Sequence, residues 1–134
     1  MTYYVGQKAE ISKTISESDV YLFAEICGDF NPIHVNEVKA AASRFGRRVV
    51  HGAMVCAFIS TVLGMKLPGE GTIYLSQNSE FVRPVYIGDT ITVRIEIVKI
   101  LGKIAILNTQ VFNQNEELVV DGEAKVILPQ KHVE

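Results

Sequence analysis

Gly52-Ala53-Met54-Val55-Cys56-Ala57-Phe58-Ile59-Ser60-Thr61-Val62-Leu63-Gly64-Met65 is the least polar stretch of this chain, and its reading decides the fold. At helical spacing its apolar side chains leave almost no polar side. A surface helix needs only one apolar stripe, so this one is expected to be surrounded by protein. It ends at Gly64, with Pro68 and Gly69 marking the loop beyond. Downstream the pattern changes from helical to alternating. Residues 72–82, 90–100, 103–112 and 118–128 read as strands, with Gly102 and Asn113-Gln114-Asn115 supplying turns for consecutive antiparallel hairpins. Asp121-Gly122 lies inside the last strand, where glycine predicts a bulge.

Upstream, residues 8–14 alternate as a first strand with Ala9, Ile11 and Lys13 on one face. Ser16-Glu17-Ser18-Asp19 has the character of an N-cap followed by acidic first-turn residues. Val20, Phe23, Ala24 and Cys27 then recur at helical spacing, and Gly28 closes that helix. A short second helix is expected over residues 37–43, turning Val38, Ala41 and Ala42 inward, before the basic turn Arg44-Phe45-Gly46-Arg47-Arg48. One long buried helix followed by four antiparallel strands implies a curved sheet wrapped around the helix, an α+β architecture. Such a sheet leaves an edge that a second copy of the chain would cover, so a homodimer is expected.

The chain has 134 residues, enough for a single domain over residues 1–134. With 48% hydrophobic and 21% charged residues it has the composition of a globular protein. A net charge of −2 argues against a general nucleic-acid binder. Cys27 and Cys56 form no CxxC pair or disulfide framework and are expected to pack as small hydrophobes in a reducing compartment. The N-terminus lacks the order of a signal peptide, and no run is long enough to span a bilayer. The expected location is the cytoplasm, with no membrane partner.

The chemistry points to Gly28-Asp29-Phe30-Asn31-Pro32-Ile33-His34. Pro32 lacks an N–H and pushes Asn31 toward an extended conformation, while Gly28 allows a sharp turn. A rigid, kinked loop follows, holding a carboxylate and an imidazole toward one point. Such a pair can activate a water and deliver a proton. Taken singly, Asp29 reads as a turn residue and His34 as a satisfied, partly buried imidazole; taken together they read as catalytic. His51 reads as packing at a helix entrance, with substrate contact as the other option. His132 sits in a polar tail and reads as inert.

Asp29-Phe30-Asn31-Pro32-Ile33-His34, followed by Val50-His51-Gly52 at the helix start, resembles the MaoC-like, or hydratase-2, family. Within it the chain is similar to single-domain (R)-specific enoyl-CoA hydratases linked to polyhydroxyalkanoate synthesis. The likeness runs from Val5-Gly6-Gln7 through Leu67-Pro68-Gly69 and Pro84-Val85 to Gly122-Glu123-Ala124. It implies a hot-dog fold. It also implies that Asp29 and His34 together activate a water, while Asn31 orders the loop or the water. One departure is Arg48, where relatives often carry Pro.

Hydrating a double bond conjugated to a thioester needs a base, an acid for the α-carbon, and donors for the enolate-like oxygen. A close Asp–His pair titrates as a unit, so base and acid are not divided between the two here. Backbone N–H groups near Gly52, at the positive end of the apolar helix, are the expected oxyanion donors. Gly52, Cys56, Ile59, Ser60 and Leu63 share a helix face. Ser60 either bonds back to the Cys56 carbonyl or lines the acyl pocket beside Asp29, with Leu63 deeper. Arg44, Arg47 and Arg48 form a solvated turn from which one guanidinium would reach coenzyme A phosphates.

The expected substrate is thus an acyl-CoA thioester, with coenzyme A part of the substrate. No metal or separate cofactor is expected, since neither a metal-ligand cluster nor a dinucleotide fingerprint stands out. Three alternatives remain: 3-hydroxyacyl-[acyl-carrier-protein] dehydration, hot-dog thioester hydrolysis, and a non-catalytic acyl-binding module.

Overall fold

The strands β1 (Lys8–Thr14), β2 (Ile73–Phe81), β3 (Thr90–Leu101), β4 (Ile104–Phe112) and β5 (Leu118–Ile127) form one antiparallel sheet in the order β1-β3-β4-β5-β2. The computed structural model describes residues 2–130; His132 lies outside them. Tight turns make the β3–β4 and β4–β5 hairpins. The first has Gly102 at φ +62°; in the second Asn113 Oδ1 accepts from the N–H groups of Asn115 and Glu117. β2 precedes β3 in the chain yet pairs with β5 at the far edge, so the chain crosses the sheet between them.

Strand alternation sets the layers. Ile91, Val93, Ile95 and Ile97 of β3 point to one face with Ala105, Leu107 and Val111 of β4 and Ala124 and Val126 of β5. Thr92, Arg94 and Glu96 point to the other face. The apolar stretch is α4 (Gly52–Met65), laid on that apolar face through Met54, Val55, Ile59, Val62 and Leu63. Fully burying each of these side chains contributes about 1.5–3 kcal/mol. Three further helices lie on the connection from β1 to α4: α1 (Glu17–Cys27), α2 (Pro32–Val35) and α3 (Glu37–Ala41). Ser16 and Asp19 cap α1 reciprocally, Ser16 Oγ accepting from the Asp19 N–H at 3.1 Å and Asp19 Oδ2 from the Ser16 N–H at 2.8 Å.

The helix wrapped by an antiparallel sheet is as expected, and all five strands fall within a residue or so of their expected bounds. Several details differ. α4 is not enclosed by this chain on every side, because Ala53, Ala57, Ser60, Thr61 and Met65 lie exposed along one side. α3 turns Ala40 inward, while Val38, Ala41 and Ala42 are exposed. The helix stops at Ala41, so only its inner turn meets protein. Cys27, at the last turn of α1, is exposed rather than packed, and Cys56 is half-buried.

Gly122 makes no bulge. It pairs in regular register with Ser79 and Thr109, and the irregularities fall near Leu75, Val98 and Phe112. Glycine is needed there for close approach: a Cβ would stand 2.2 Å from the Asn78 carbonyl oxygen. The edge strand β2 carries Ile73, Leu75 and Phe81 exposed, with Val82 just beyond it.

Candidate active site

Between α1 and α2 the backbone does what Gly28 and Pro32 dictate. Gly28 adopts φ +79° and its N–H bonds the Ala24 carbonyl, ending α1. Asp29 Oδ1 then accepts from the Asn31 N–H at 3.1 Å, an Asx turn. Asn31 is extended at φ −52°, ψ 128°, and its Oδ1 accepts from the Ile33 N–H at 3.3 Å. Pro32 occupies the first helical position, where its missing N–H costs nothing. The segment expected to be a kinked loop throughout therefore closes into the one-turn helix α2, which points His34 inward.

His34 is 7% exposed, and its Nδ1 lies 2.7 Å from the Val49 carbonyl oxygen. A carbonyl can only accept, so Nδ1 carries a proton, and in the neutral form of the ring Nε2 is the bare nitrogen. That nitrogen faces Asp29 Oδ2 at 3.9 Å. The separation is too long for a direct hydrogen bond. It is close to the ~4.5 Å expected between two acceptors sharing one water at ~2.8 Å each. The Asp29 side chain is 49% exposed, so the gap opens toward solvent on one side.

Behind this pair lies His51, the N-cap residue of α4, 1% exposed. Its Nε2 donates to the Asp29 main-chain carbonyl at 2.9 Å, and its ring stacks on that of His34 with centroids 3.9 Å apart and planes 26° apart. The Phe23 ring packs against it as well, tilted by 56° with centroids 5.0 Å apart. Among the described residues, His51 Nδ1 is the buried side-chain atom left without a hydrogen-bond partner.

Asp29, His34 and His51 offer three ligand-type atoms within 4.8 Å of one another. A metal must lie in the plane of each imidazole that binds it. The His34 and His51 rings, with centroids 3.9 Å apart and planes 26° apart, turn their faces to one another instead. The stack is therefore unlike the in-plane approach of two histidines to one ion.

The remaining predicted residues separate. Asn31 orders the loop through its cap bond. Gly52 opens α4 beside the pair, and a Cβ there would meet the exposed Phe81 ring at 2.7 Å, so that ring would have to shift to admit any other residue. The face shared by Gly52, Cys56, Ile59, Ser60 and Leu63 divides. Ile59 and Leu63 are buried against the sheet, Gly52 and Cys56 lie at the margin, and Ser60 is exposed on the open side. Ser60 is two helical turns, about 12 Å, along the axis from Gly52.

Arg48 leaves the basic turn: its guanidinium donates to the Tyr21 hydroxyl at 2.9 Å and pairs with Glu17 at 3.2 Å. Burial opposes its charge, but those two partners outweigh burial and hold its pKa above the usual arginine value. Arg44 and Arg47 stay exposed, Arg47 lying over the Tyr86 ring at 3.8 Å. Sequence reading missed the stacked histidines; the adjacency of His51 to Gly52 at a helix start was the available signal.

Residues 5–120 match the family model described as "MaoC like domain", and the chain belongs to that family. It is 42% identical over 127 residues to the (R)-specific enoyl-CoA hydratase of Aeromonas caviae, covering 93% of this chain and 95% of that one. A 3-hydroxybutyryl-CoA dehydratase of Methylorubrum extorquens is 43% identical over 128 residues, covering 95% and 82%. The solved Aeromonas (R)-hydratase, described as involved in PHA biosynthesis, superposes with a TM-score of 0.93 over 96% of this chain and 98% of that one. An unliganded R-hydratase of Pseudomonas aeruginosa gives 0.93 at 44% identity, covering 96% and 84%. The fold is thus the hot dog implied by the sequence resemblance.

Proposed function

We propose that this protein is an (R)-specific enoyl-CoA hydratase, a hydro-lyase that reversibly hydrates trans-2-enoyl-CoA to (R)-3-hydroxyacyl-CoA. The observation that carries the reading is the 3.9 Å gap between Asp29 Oδ2 and His34 Nε2, both acceptors. A water donating one O–H to each turns its lone pair toward the β-carbon of an enoyl chain laid across the gap. As the O–C bond forms, the double-bond electrons move through the α-carbon onto the thioester oxygen, and one water proton passes to the pair. The pair returns a proton to the α-carbon, and the thioester carbonyl re-forms. Both additions come from one side, so hydroxyl and proton enter the same face.

The thioester oxygen is met by the N–H groups at the start of α4, around Gly52, which have no intrahelical partners and sit at the positive end of the helix. From there the acyl chain follows the margin of α4 past Cys56 toward Ser60, with Leu63 beneath. Arg44 and Arg47, rather than Arg48, take the phosphates. The exposed edge β2 and the open side of α4 support a homodimer, in which a second copy covers Ile73, Leu75, Phe81 and Met65. Met65 is 79% exposed in the single chain. Among the described residues no helix is long and apolar enough to cross a membrane, and the proposed location is the cytoplasm.

The test follows the conjugated enoyl-thioester absorbance of crotonyl-CoA, with a thiol reagent in parallel and chiral analysis of the product. Loss of the band without thiol release, giving the (R)-3-hydroxy product, is expected. Thiol release would replace the reading with thioester hydrolysis, and activity on acyl-carrier-protein thioesters alone would change the carrier. Light scattering at micromolar concentration should give twice the chain mass; a monomer would refute the dimer.

A further inference from the structure

The hydration chemistry leaves His51 without a task, although it is the most constrained side chain in the site. It is 1% exposed, so its ring does not reach a substrate in the gap. Two of its contacts go to the two halves of the Asp29–His34 pair: Nε2–H to the Asp29 carbonyl, ring face to the His34 ring. We infer that His51 is a positioning residue for this reaction, fixing the Asp29 main chain and the plane of the His34 imidazole together, so that Oδ2 and Nε2 keep their shared gap.

The His34 ring needs that help. Its one side-chain hydrogen bond, from Nδ1 to the Val49 carbonyl, limits the rotation of the ring about Cβ–Cγ and leaves its exact tilt to packing. The stacked face of His51 sets that tilt, and Phe23 packs on His51 in turn. Asp29 has the complementary problem: its carboxylate is half-exposed, and its aim depends on where the loop backbone sits. The bond from His51 Nε2 ties that backbone to the first residue before α4. Since Gly52 follows directly, one residue joins the water-activating pair to the proposed oxyanion donor.

The orphaned nitrogen supports the assignment. Donation from Nε2 makes Nδ1 a bare acceptor, buried without a donor, and an unmet buried polar atom is destabilising. A phenyl ring would stack without that penalty but would lose the Asp29 bond; a glutamine would keep the donor but lose the face. Imidazole supplies both. Local violations of packing rules of this kind concentrate at functional sites.

This inference rests on the hydratase reading, and the experiment separates the two. Crotonyl-CoA hydration is measured for His51→Ala, His51→Phe and His51→Gln, each in wild-type and His34→Ala backgrounds, with circular dichroism and thermal melts throughout. A displacement of about 1 Å at a reacting group costs on the order of 100-fold. His51→Ala is therefore expected to lower kcat about 100-fold with KM within about twofold, and Phe and Gln should each recover part of the loss. In the His34→Ala background the same change should cost less than about threefold, because residues acting as a unit are non-additive. Equal losses in both backgrounds, or a loss carried by KM, would overturn the inference. If His51→Ala does not fold, the near-isosteric Phe and Gln variants carry the same cycle. An inactive wild type, or full activity in His34→Ala, would instead overturn the hydratase reading.

Discussion

Replacing Asp29 with asparagine separates the two jobs of that carboxylate. Oδ1 accepts from the Asn31 N–H and holds the turn; Oδ2 faces His34 Nε2. Asparagine keeps the first bond, and that bond fixes its orientation, since a flipped amide would point its NH2 at the Asn31 N–H. The amide nitrogen must then replace Oδ2. It presents N–H to the bare Nε2 of His34 and removes one of the two acceptors for the water. Loss of a proton-handling group costs 10²–10⁴-fold, and a central value of about 10³-fold corresponds to about 4 kcal/mol of barrier. The side chain is half-exposed and its turn bond survives, so stability should change by less than about 0.5 kcal/mol. The assay pairs crotonyl-CoA absorbance with urea unfolding. Asp29→Ala, lacking the turn acceptor as well, should lose a further ~1 kcal/mol of stability at similar activity. A folded Asp29→Asn variant with more than about a tenth of wild-type kcat would refute the water-sharing geometry.

Gly122→Ala should destabilise by about 3 kcal/mol in urea unfolding, because its Cβ would stand 2.2 Å from the Asn78 carbonyl and force β2 off β5; a change below about 0.5 kcal/mol would contradict the close approach. The Ser16 N–H, outweighing the opposing effect of burial and joined by Lys13 at 3.2 Å, holds the Asp19 carboxyl below its ordinary 3.8. Its contribution is therefore complete above pH 3.8 and fades as pH falls through the lower folded value. Asp19→Asn should flatten that acid limb of stability measured between about pH 5 and pH 2, and an unchanged limb would place the dependence elsewhere. Arg48→Gln should lower stability by about 1 kcal/mol with KM for crotonyl-CoA unchanged, since its partners are Glu17 and Tyr21. Arg47→Gln should do the reverse, and a raised KM for Arg48→Gln alone would exchange their roles.

The fold was legible because α4 is apolar on nearly every side over fourteen residues while the strands downstream alternate with period 2, and a sheet laid on one buried helix covers both. Local turn chemistry was legible for the same kind of reason: Gly28, Asn31 and Pro32 each restrict the backbone in one direction, and their sum is the observed path. α3 was misread because Val38 is apolar yet the helix is too short for spacing to outweigh where the sheet ends. Gly122 was misread because an intrastrand glycine reports either a bulge or a close neighbour, and only the register distinguishes them. The gap between Asp29 and His34 was inferable from the motif. The stack of His51 on His34 was not, since it joins residues seventeen positions apart (51 − 34) through the placement of α4.

The Asx turn at Asp29 has an evolutionary side. A carboxylate that also closes a turn is lost to most side chains only with a visible scar in the loop. Here asparagine closes the turn as well as aspartate does, and a single nucleotide change connects the two codons. The step from working enzyme to inert acyl-thioester receptor is therefore one atom wide, with the scaffold left standing on both sides of it. Paralogues that keep every turn and strand while carrying asparagine at this position would be the expected trace of that step.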